Sequence, residues 1–120
     1  MELKYSQSHE WILETENNTV IIGITDFAQS ELGEIVFVNL SEVGDEVEIN
    51  EPFGDVESVK AVSDLISPVN GTILKVNETL LDAPEAINQD ANNTWMIEVE
   101  GYTLEENLMN LQEYQAYIEG

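Results

Sequence analysis

The chain has 120 residues, no cysteine and no arginine, and 25 carboxylates against three lysines give it a formal net charge of −22. This length predicts a single domain over residues 1–120. The charge excludes nucleic acid and anionic membrane surfaces as partners, since it repels both, and the lack of cysteine excludes disulfides, thiolate metal sites and a thiol nucleophile.

Short runs rich in β-branched residues dominate the first two-thirds of the chain. They predict strands over residues 19–24, 34–40, 47–49 and 72–76, and a later alternating run predicts one over 95–100. Asn70-Gly71 is a strong hairpin signal and predicts a turn before the fourth of these strands. Short strands joined by such turns favour a sandwich or barrel.

Two helices are predicted. Thr25 or Asp26 can cap a short helix near 26–32, which Gly33 would end. Thr103 and Glu106 match a capping box, so a C-terminal helix is predicted over about 103–118. The acid-rich stretch 82–90 lacks the Asp-x-Asp-x-Asp-Gly order of a calcium loop and is predicted to be a solvated loop, and no metal site is expected.

The sequence also allows predictions about where the protein is located in the cell and how its acidic surface affects partner binding. No apolar run approaches the roughly 20 residues that span a bilayer, and the first residues lack the pattern of a signal peptide, so the protein is predicted to be cytoplasmic. The acidity either reflects a compositional habit of the source or favours encounter with basic partner surfaces. Under the second interpretation, partner association weakens as salt is added.

The segment from Glu57 to Gly71 is the most informative part of the chain. Lys60 is one of three basic side chains and has small or apolar neighbours, Val59 and Ala61, instead of ion-pair partners. An amine on a four-carbon stem reaches away from the backbone, so a lysine at a hairpin tip is suited to acylation. A solvated turn lysine is the plain alternative.

This segment resembles the lipoylation site of the glycine cleavage H-protein family, which carries Glu-Ser-Val-Lys, then Ser-Asp, then Ser-Pro-x-x-Gly. The resemblance covers roughly residues 4–118 in the family's order. It departs at Asp90–Thr94, where the family has a Pro-Tyr segment, and in its lack of basic residues, which bears on docking. The other matching stretches are Ser8–Trp11, Gly23–Ala28, Leu32–Val38, Pro52–Gly54, Asn88 and Trp95–Ile97.

The resemblance implies a mostly β fold, the barrel-sandwich hybrid of lipoyl and biotinyl carriers, with lipoate attached covalently to Lys60. It implies a carrier without catalytic activity of its own, which shuttles an aminomethyl group in glycine cleavage. The partners implied are a glycine decarboxylase, an aminomethyltransferase, a dihydrolipoamide dehydrogenase and a lipoate-attaching enzyme, and a monomer is expected.

The resemblance also implies roles for five further residues. Glu57 and Gly71 occupy positions that lipoate-attaching enzymes recognise. Ser8, Glu10 and Asp64 occupy positions that line the cleft for the loaded arm, where a carboxylate could pair with a protonated amine cargo. The plain alternative for the two acids is that they are ordinary surface carboxylates.

Several alternatives remain open from the sequence. A relay carrier that passes lipoyl or octanoyl groups to other carriers would use the same lysine. A biotinyl carrier usually has its lysine between two methionines, which Val59 and Ala61 do not match. His9 is either a hydrogen-bonded structural residue or a proton shuttle. No nucleophile–base pairing is visible that would favour an autonomous enzyme.

Overall fold

Two antiparallel sheets form the protein in the computed structural model, which describes residues 2–120. The strands are β1 (Lys4–Tyr5), β2 (Glu10–Glu14), β3 (Thr19–Ile24), β4 (Ile35–Leu40), β5 (Glu46–Val47), β6 (Pro52–Ser58), β7 (Val62–Ile66), β8 (Val69–Val76) and β9 (Ile97–Leu104). The helices are α1 (Asp26–Leu32), α2 (Glu78–Asp82), α3 (Ala86–Asp90) and α4 (Leu111–Glu119), and a single 3-10 turn covers Ala91–Asn93.

The larger sheet has the strand order β1-β2-β3-β9-β8-β5, and the smaller has the order β4-β6-β7. They remain two sheets and do not close into a barrel, and they share one apolar core. Ile22 and Val99 of the larger sheet and Val56 and Leu65 of the smaller sheet belong to that core. The prediction of a mostly β, barrel-sandwich type fold is confirmed.

Helix α1 forms where its caps predict it. The Thr25 side chain accepts a hydrogen bond from the Ala28 N–H, and Gly33 ends the helix with φ of 81°. Only glycine adopts this backbone conformation without strain. The helix leads directly into β4 and lies beside the end of the smaller sheet.

The C-terminal helix begins later than predicted. Thr103 and Leu104 lie in β9, where they pair with Asn70 and Val69 of β8. Helix α4 starts after Asn110, which forms the capping box with Glu113. The predicted start at residue 103 is therefore wrong, because strand pairing along β8 extends β9 through the Thr103 signal.

The predicted turn at Asn70-Gly71 and the predicted loop over residues 82–90 are also wrong, because contacts between distant parts of the chain override the local signals. Asn70-Gly71 lies inside β8 and not in a turn, at a register shift against β9. A Cβ at Gly71 would come within 2.5 Å of the Val99 side chain and 2.8 Å of the Glu100 carbonyl oxygen, so glycine permits the close approach of these strands. Residues 86–90 form α3 instead of a loop, because Ile87 is buried in the core.

A second apolar cluster holds α4 on the outer side of the larger sheet. Tyr5, Trp11 and Tyr114 are buried there, and the rings of Tyr5 and Tyr114 stack with centroids 4.6 Å apart. Met109 pairs with Tyr5 just before the helix begins. No helix in the described part of the chain has the length and apolarity needed to cross a bilayer.

Gly23 allows Trp11 to pack in this cluster. The two residues pair across β2 and β3, and a Cβ at Gly23 would lie 2.6 Å from the indole ring and 2.7 Å from the Thr94 carbonyl oxygen. We expect Gly23→Ala to lower the free energy of unfolding in urea by about 1–3 kcal/mol through overpacking. Gly101→Asn is the control, since Gly101 has φ of 59°, which asparagine tolerates, and open space around it. Equal losses in both variants would contradict this packing argument.

Candidate functional site

Lys60 is the middle residue of a three-residue turn, Val59–Ala61, between β6 and β7. The Ser58 N–H donates to the Ala61 carbonyl oxygen at 2.8 Å, and the Ser58 hydroxyl oxygen accepts the N–H groups of Lys60 and Ala61, both at 3.1 Å. That hydroxyl also lies 3.2 Å from the Ala61 carbonyl oxygen, to which it donates. A short hairpin loop usually places glycine or asparagine at positive φ. Here none of the three turn residues has positive φ, and the Ser58 side chain accepts the amides of Lys60 and Ala61.

The turn is attached to the rest of the protein on its other side. The Val59 N–H donates to the Glu34 carbonyl oxygen at 3.0 Å, which links the turn to the segment between α1 and β4. The Lys60 side chain is exposed, and its Cε would lie 3.5 Å from a Cβ built on Gly33. The only ion pair in residues 2–120 joins Lys4 to Glu14, so the Lys60 ammonium has no carboxylate partner there. The amine is thus free to react while its backbone is fixed.

A cleft of about 340 Å³ is lined on one side by α1. Gly33, which ends this helix, lies next to the Lys60 side chain. Its wall is partly apolar and partly hydroxylic, so it could receive an aliphatic arm with a polar end. The lining residues are Ser8, His9, Phe27, Ala28, Glu31, Leu32 and Ser63.

Glu10 lies behind Ser8 and is only 2 % exposed. Its Oε1 accepts hydrogen bonds from the hydroxyls of Ser6 at 2.6 Å and Ser8 at 2.5 Å, and its Oε2 lies 3.4 Å from the Ile66 N–H. Burial raises the pKa of this carboxyl from 4.5 to about 7, although the hydrogen bonds from Ser6, Ser8 and Ile66 act against the rise. Near neutral pH the group can therefore exist in either protonation state.

His9 connects the cleft to the C-terminal helix. Its Nδ1 lies 2.8 Å from the Tyr114 hydroxyl, which lies 2.7 Å from the Thr25 hydroxyl. Thr25 Oγ1 already accepts the Ala28 N–H, so a consistent arrangement has Thr25 donating to Tyr114 and Tyr114 donating to Nδ1 of a neutral imidazole. Burial lowers the pKa of His9, which outweighs the opposing effect of Glu31. This network fixes the His9 imidazole, which supports a structural role for His9. The backbone of His9 has φ of 74°, a conformation that surrounding contacts must hold in place.

The structure brings some of the predicted residues together and separates others. Ser8 lines the cleft, and Glu10 contacts Ser8 from behind. Asp64 is exposed, and its neighbour Ser63 lies in the cleft; since successive residues of a strand point to opposite faces, Asp64 points away from the cleft. Glu57 pairs with Val62 next to the lysine turn. Gly71 lies in β8 of the other sheet and pairs with Val47 of β5.

Ser58, Ser63 and Ser6 were not singled out from the sequence as site residues. Strand alternation could have identified Ser63, because it shares a face with the buried Leu65. Ser6 gives no such signal, because it reaches Glu10 only through the turn between β1 and β2. In residues 2–120 no group of three or more His, Asp or Glu side chains is placed to hold a metal ion.

Comparison with known proteins agrees with this geometry. A family model described as "Glycine cleavage H-protein" matches residues 3–120. The chain belongs to the glycine cleavage H-protein family. The "Glycine cleavage system H protein" of Bacillus licheniformis is 55 % identical over 120 residues, which cover 98 % of this chain and 94 % of that protein. The one from Halalkalibacterium halodurans is 57 % identical over 120 residues, which cover 98 % of this chain and 93 % of that protein.

A solved structure extends the agreement to three dimensions. The crystal structure of a glycine cleavage system H protein from Mycobacterium marinum superposes with a TM-score of 0.91 at 38 % identity, and covers 99 % of this chain and 98 % of that chain. The resemblance inferred from the motif around Lys60 is therefore confirmed for the H-protein family. Members of this family act as lipoyl-carrying shuttles in glycine cleavage. Membership therefore favours the shuttle function over the alternative of a relay carrier in lipoate metabolism.

The buried carboxyl of Glu10 predicts a specific dependence of stability on pH. The folded state holds its proton up to about pH 7, whereas an ordinary carboxyl releases it near 4.5, so the free energy of unfolding falls as pH rises through this window. In urea unfolding, the free energy of unfolding of Glu10→Gln should therefore rise relative to that of the native protein, by roughly 3 kcal/mol, as pH increases from 4.5 to about 7. Glu14→Gln is the control, because hydrogen bonds from Tyr102 and Lys4 lower the Glu14 pKa and reverse the sign. Parallel stability curves for Glu10→Gln and the native protein would contradict the assignment.

Proposed function

We propose that this H-protein carries its lipoyl group as an amide on Lys60 and moves an aminomethyl group between the enzymes of glycine cleavage. The observation that supports this proposal is the exposed, unpaired Lys60 amine on a turn closed by Ser58, beside a cleft that begins at α1. A free amine fits amide formation, and a fixed backbone lets the arm sweep from a constant origin. In this account the protein works as a single domain and performs no catalysis itself.

The residues of the cleft have defined tasks in this proposal. When bound, the lipoyl group supplies a disulfide whose sulfur accepts the one-carbon amine cargo. Phe27, Ala28 and Leu32 provide apolar contacts for the hydrocarbon part of the arm. Ser8 can accept a hydrogen bond from a protonated amine, and Glu10 orients the Ser8 hydroxyl from behind.

Glu10 also sets the charge of the cleft. A carboxylate buried next to Ser8 favours a protonated amine at the cleft mouth, whereas a protonated Glu10 removes that attraction. Because its pKa lies near 7, the carboxyl can change state over the neutral range. Asp64 contributes to the arm only through the general negative charge around the site, since its side chain lies on the other face of β7.

The proposed partners are a glycine decarboxylase that loads the arm, an aminomethyltransferase that unloads it, and a dihydrolipoamide dehydrogenase that restores it. A lipoate-attaching enzyme must act first, and for it Glu57 and Gly71 are the proposed recognition positions. The predictions from the sequence that the protein is a monomer and that it is cytoplasmic stay predictions. The family assignment favours this function over a relay role in lipoate metabolism.

Lys60→Arg tests the attachment site, because arginine keeps the charge but is not acylated under these conditions. The native protein incubated with lipoate, ATP and a lipoate–protein ligase should gain the mass of one lipoyl group, and Lys60→Arg should gain none. The variant should then fail to support glycine decarboxylation by the other components. Lys75→Arg is the matched control, since Lys75 is also exposed but lies within β8, and it should behave like the native protein. Normal glycine decarboxylation with Lys60→Arg would refute the proposal.

A further inference from the structure

The outer face of the smaller sheet carries two rows of residues near Lys60, exposed on β4 and β7 and half-buried on β6. The first row runs across the three strands through Phe37, Glu57 and Val62. The second runs through Asn39, Asp55 and Asp64. We call these six residues the outer hairpin face. In the first row Glu57 lies within roughly 10 Å of the Lys60 backbone, since it is only three positions away along the chain.

Two apolar side chains on this face lack any packing explanation. Phe37 is 62 % exposed and Val62 is 64 % exposed, although residues on the opposite face of the same strands, Val38 of β4 and Leu65 of β7, fill the core. Val59, in the lysine turn itself, is 64 % exposed. Aromatic and aliphatic side chains grouped on an exposed face are typical of a protein–protein contact.

The carboxylates on the outer hairpin face also act against stability. Asp55 and Asp64 stand directly opposite each other across β6 and β7, and like charges in this arrangement destabilise a sheet. Asn39 offsets part of this repulsion through a 2.8 Å hydrogen bond from its Nδ2 to Asp55. No lysine on these three strands neutralises the pair. An unfavourable charge pair beside exposed apolar groups indicates a surface whose complement lies on another molecule.

The geometry points to the lipoate-attaching enzyme as the molecule that covers the outer hairpin face, an inference that rests on the proposed function of Lys60. Enzymes that act on the sulfur end of the arm reach it at the arm's full length, so they need not touch this face. The attaching enzyme must bring its acyl carbon to the lysine nitrogen itself, and so its surface must contact the end of the hairpin.

The attachment reaction sets the chemistry of this partner. The Lys60 nitrogen, after losing one proton, attacks the carbonyl carbon of a lipoyl-adenylate held by the enzyme. The amide C–N bond forms, the bond from that carbon to the phosphate oxygen breaks, AMP leaves, and the nitrogen releases a second proton. The contact surface around that active site therefore needs an apolar depression for Phe37 and Val62, with lysine or arginine side chains opposite Asp55 and Asp64.

Two pairs of variants separate the apolar and charged parts of the face. Phe37→Thr/Val62→Thr removes the apolar groups with residues that suit an exposed strand, and its control is Leu74→Thr on β8, which is also exposed and apolar. Asp55→Asn/Asp64→Asn removes the repulsive pair, and its control with the same charge change is Glu16→Gln/Glu106→Gln, at two exposed turn residues outside the smaller sheet. The aspartate variant should unfold at a temperature no lower than the native protein, which keeps the test independent of folding.

The measurement is kcat/KM for lipoyl attachment to the full chain by a lipoate–protein ligase with lipoate and ATP, followed by intact mass. We expect Phe37→Thr/Val62→Thr to lose about tenfold or more and Leu74→Thr to match the native protein. We expect Asp55→Asn/Asp64→Asn to flatten the decline of kcat/KM with ionic strength more than Glu16→Gln/Glu106→Gln does.

Three outcomes would overturn the inference. The first is attachment to the Phe37/Val62 variant at the rate of its Leu74 control. The second is an equal salt response in the two charge variants. The third is a variant that, once fully lipoylated, loses as much in glycine decarboxylation as it lost in attachment, since the face would then serve another partner. A native chain that gains no lipoyl mass on Lys60 would instead overturn the proposed function.

Discussion

The hydroxyl of Ser58 accepts the amides of Lys60 and Ala61 and closes the turn on which the site depends. A short hairpin loop normally obtains its shape from glycine at positive φ, which would leave the backbone easier to deform. Here a side chain supplies the missing acceptor, and the Val59 amide adds a bond to Glu34. The lysine therefore projects from a backbone held on both sides, while its own side chain has no ion-pair partner in the described chain.

The position of α1 extends this constraint to the cleft. Gly33 ends the helix beneath the Lys60 stem, and the preceding turn of the helix supplies Ala28, Glu31 and Leu32 to the cleft wall. On the opposite wall, the hydrogen-bonded series of Thr25, Tyr114 and His9 connects the cleft to α4. One short helix thus lies against the Lys60 side chain at its end and lines the cleft along its length. The C-terminal helix contributes by fixing the His9 imidazole through Tyr114.

The local parts of the fold could be predicted from sequence because their signals are not in competition. Thr25 and Gly33 bound α1 as their chemistry suggests, and residues 19–24 form β3 as their branched side chains suggest. Thr103 and Asn70 carried equally clear signals, but each is captured by the β8–β9 pairing, which is a contact between distant parts of the chain. Such pairing depends on the whole sheet and overrides a capping box or a turn dipeptide.

The same distinction applies to the site. Lys60 is predicted from a contiguous motif, whereas Ser8 and Glu10 are predicted only from the family resemblance, and the roles of all three stay predictions. The prediction for Asp64 took the correct segment but the wrong face, because the register of β7 directs Ser63 inward. The burial of Glu10 and its pairing with Ser6 could not be read from the sequence, since they depend on how β1, β2 and β7 meet. The outer hairpin face likewise exists only because the register places Phe37, Glu57 and Val62 in one row.

Backbone amide relaxation at residues 58–61, measured by NMR on the unmodified and lipoylated protein, tests the rigid turn most directly. The account predicts order parameters near ~0.85 at Lys60 and Ala61 in both forms, as in the neighbouring strands, and a marked fall in Ser58→Ala. Values below ~0.6 in the native protein would show a mobile anchor and would contradict the account.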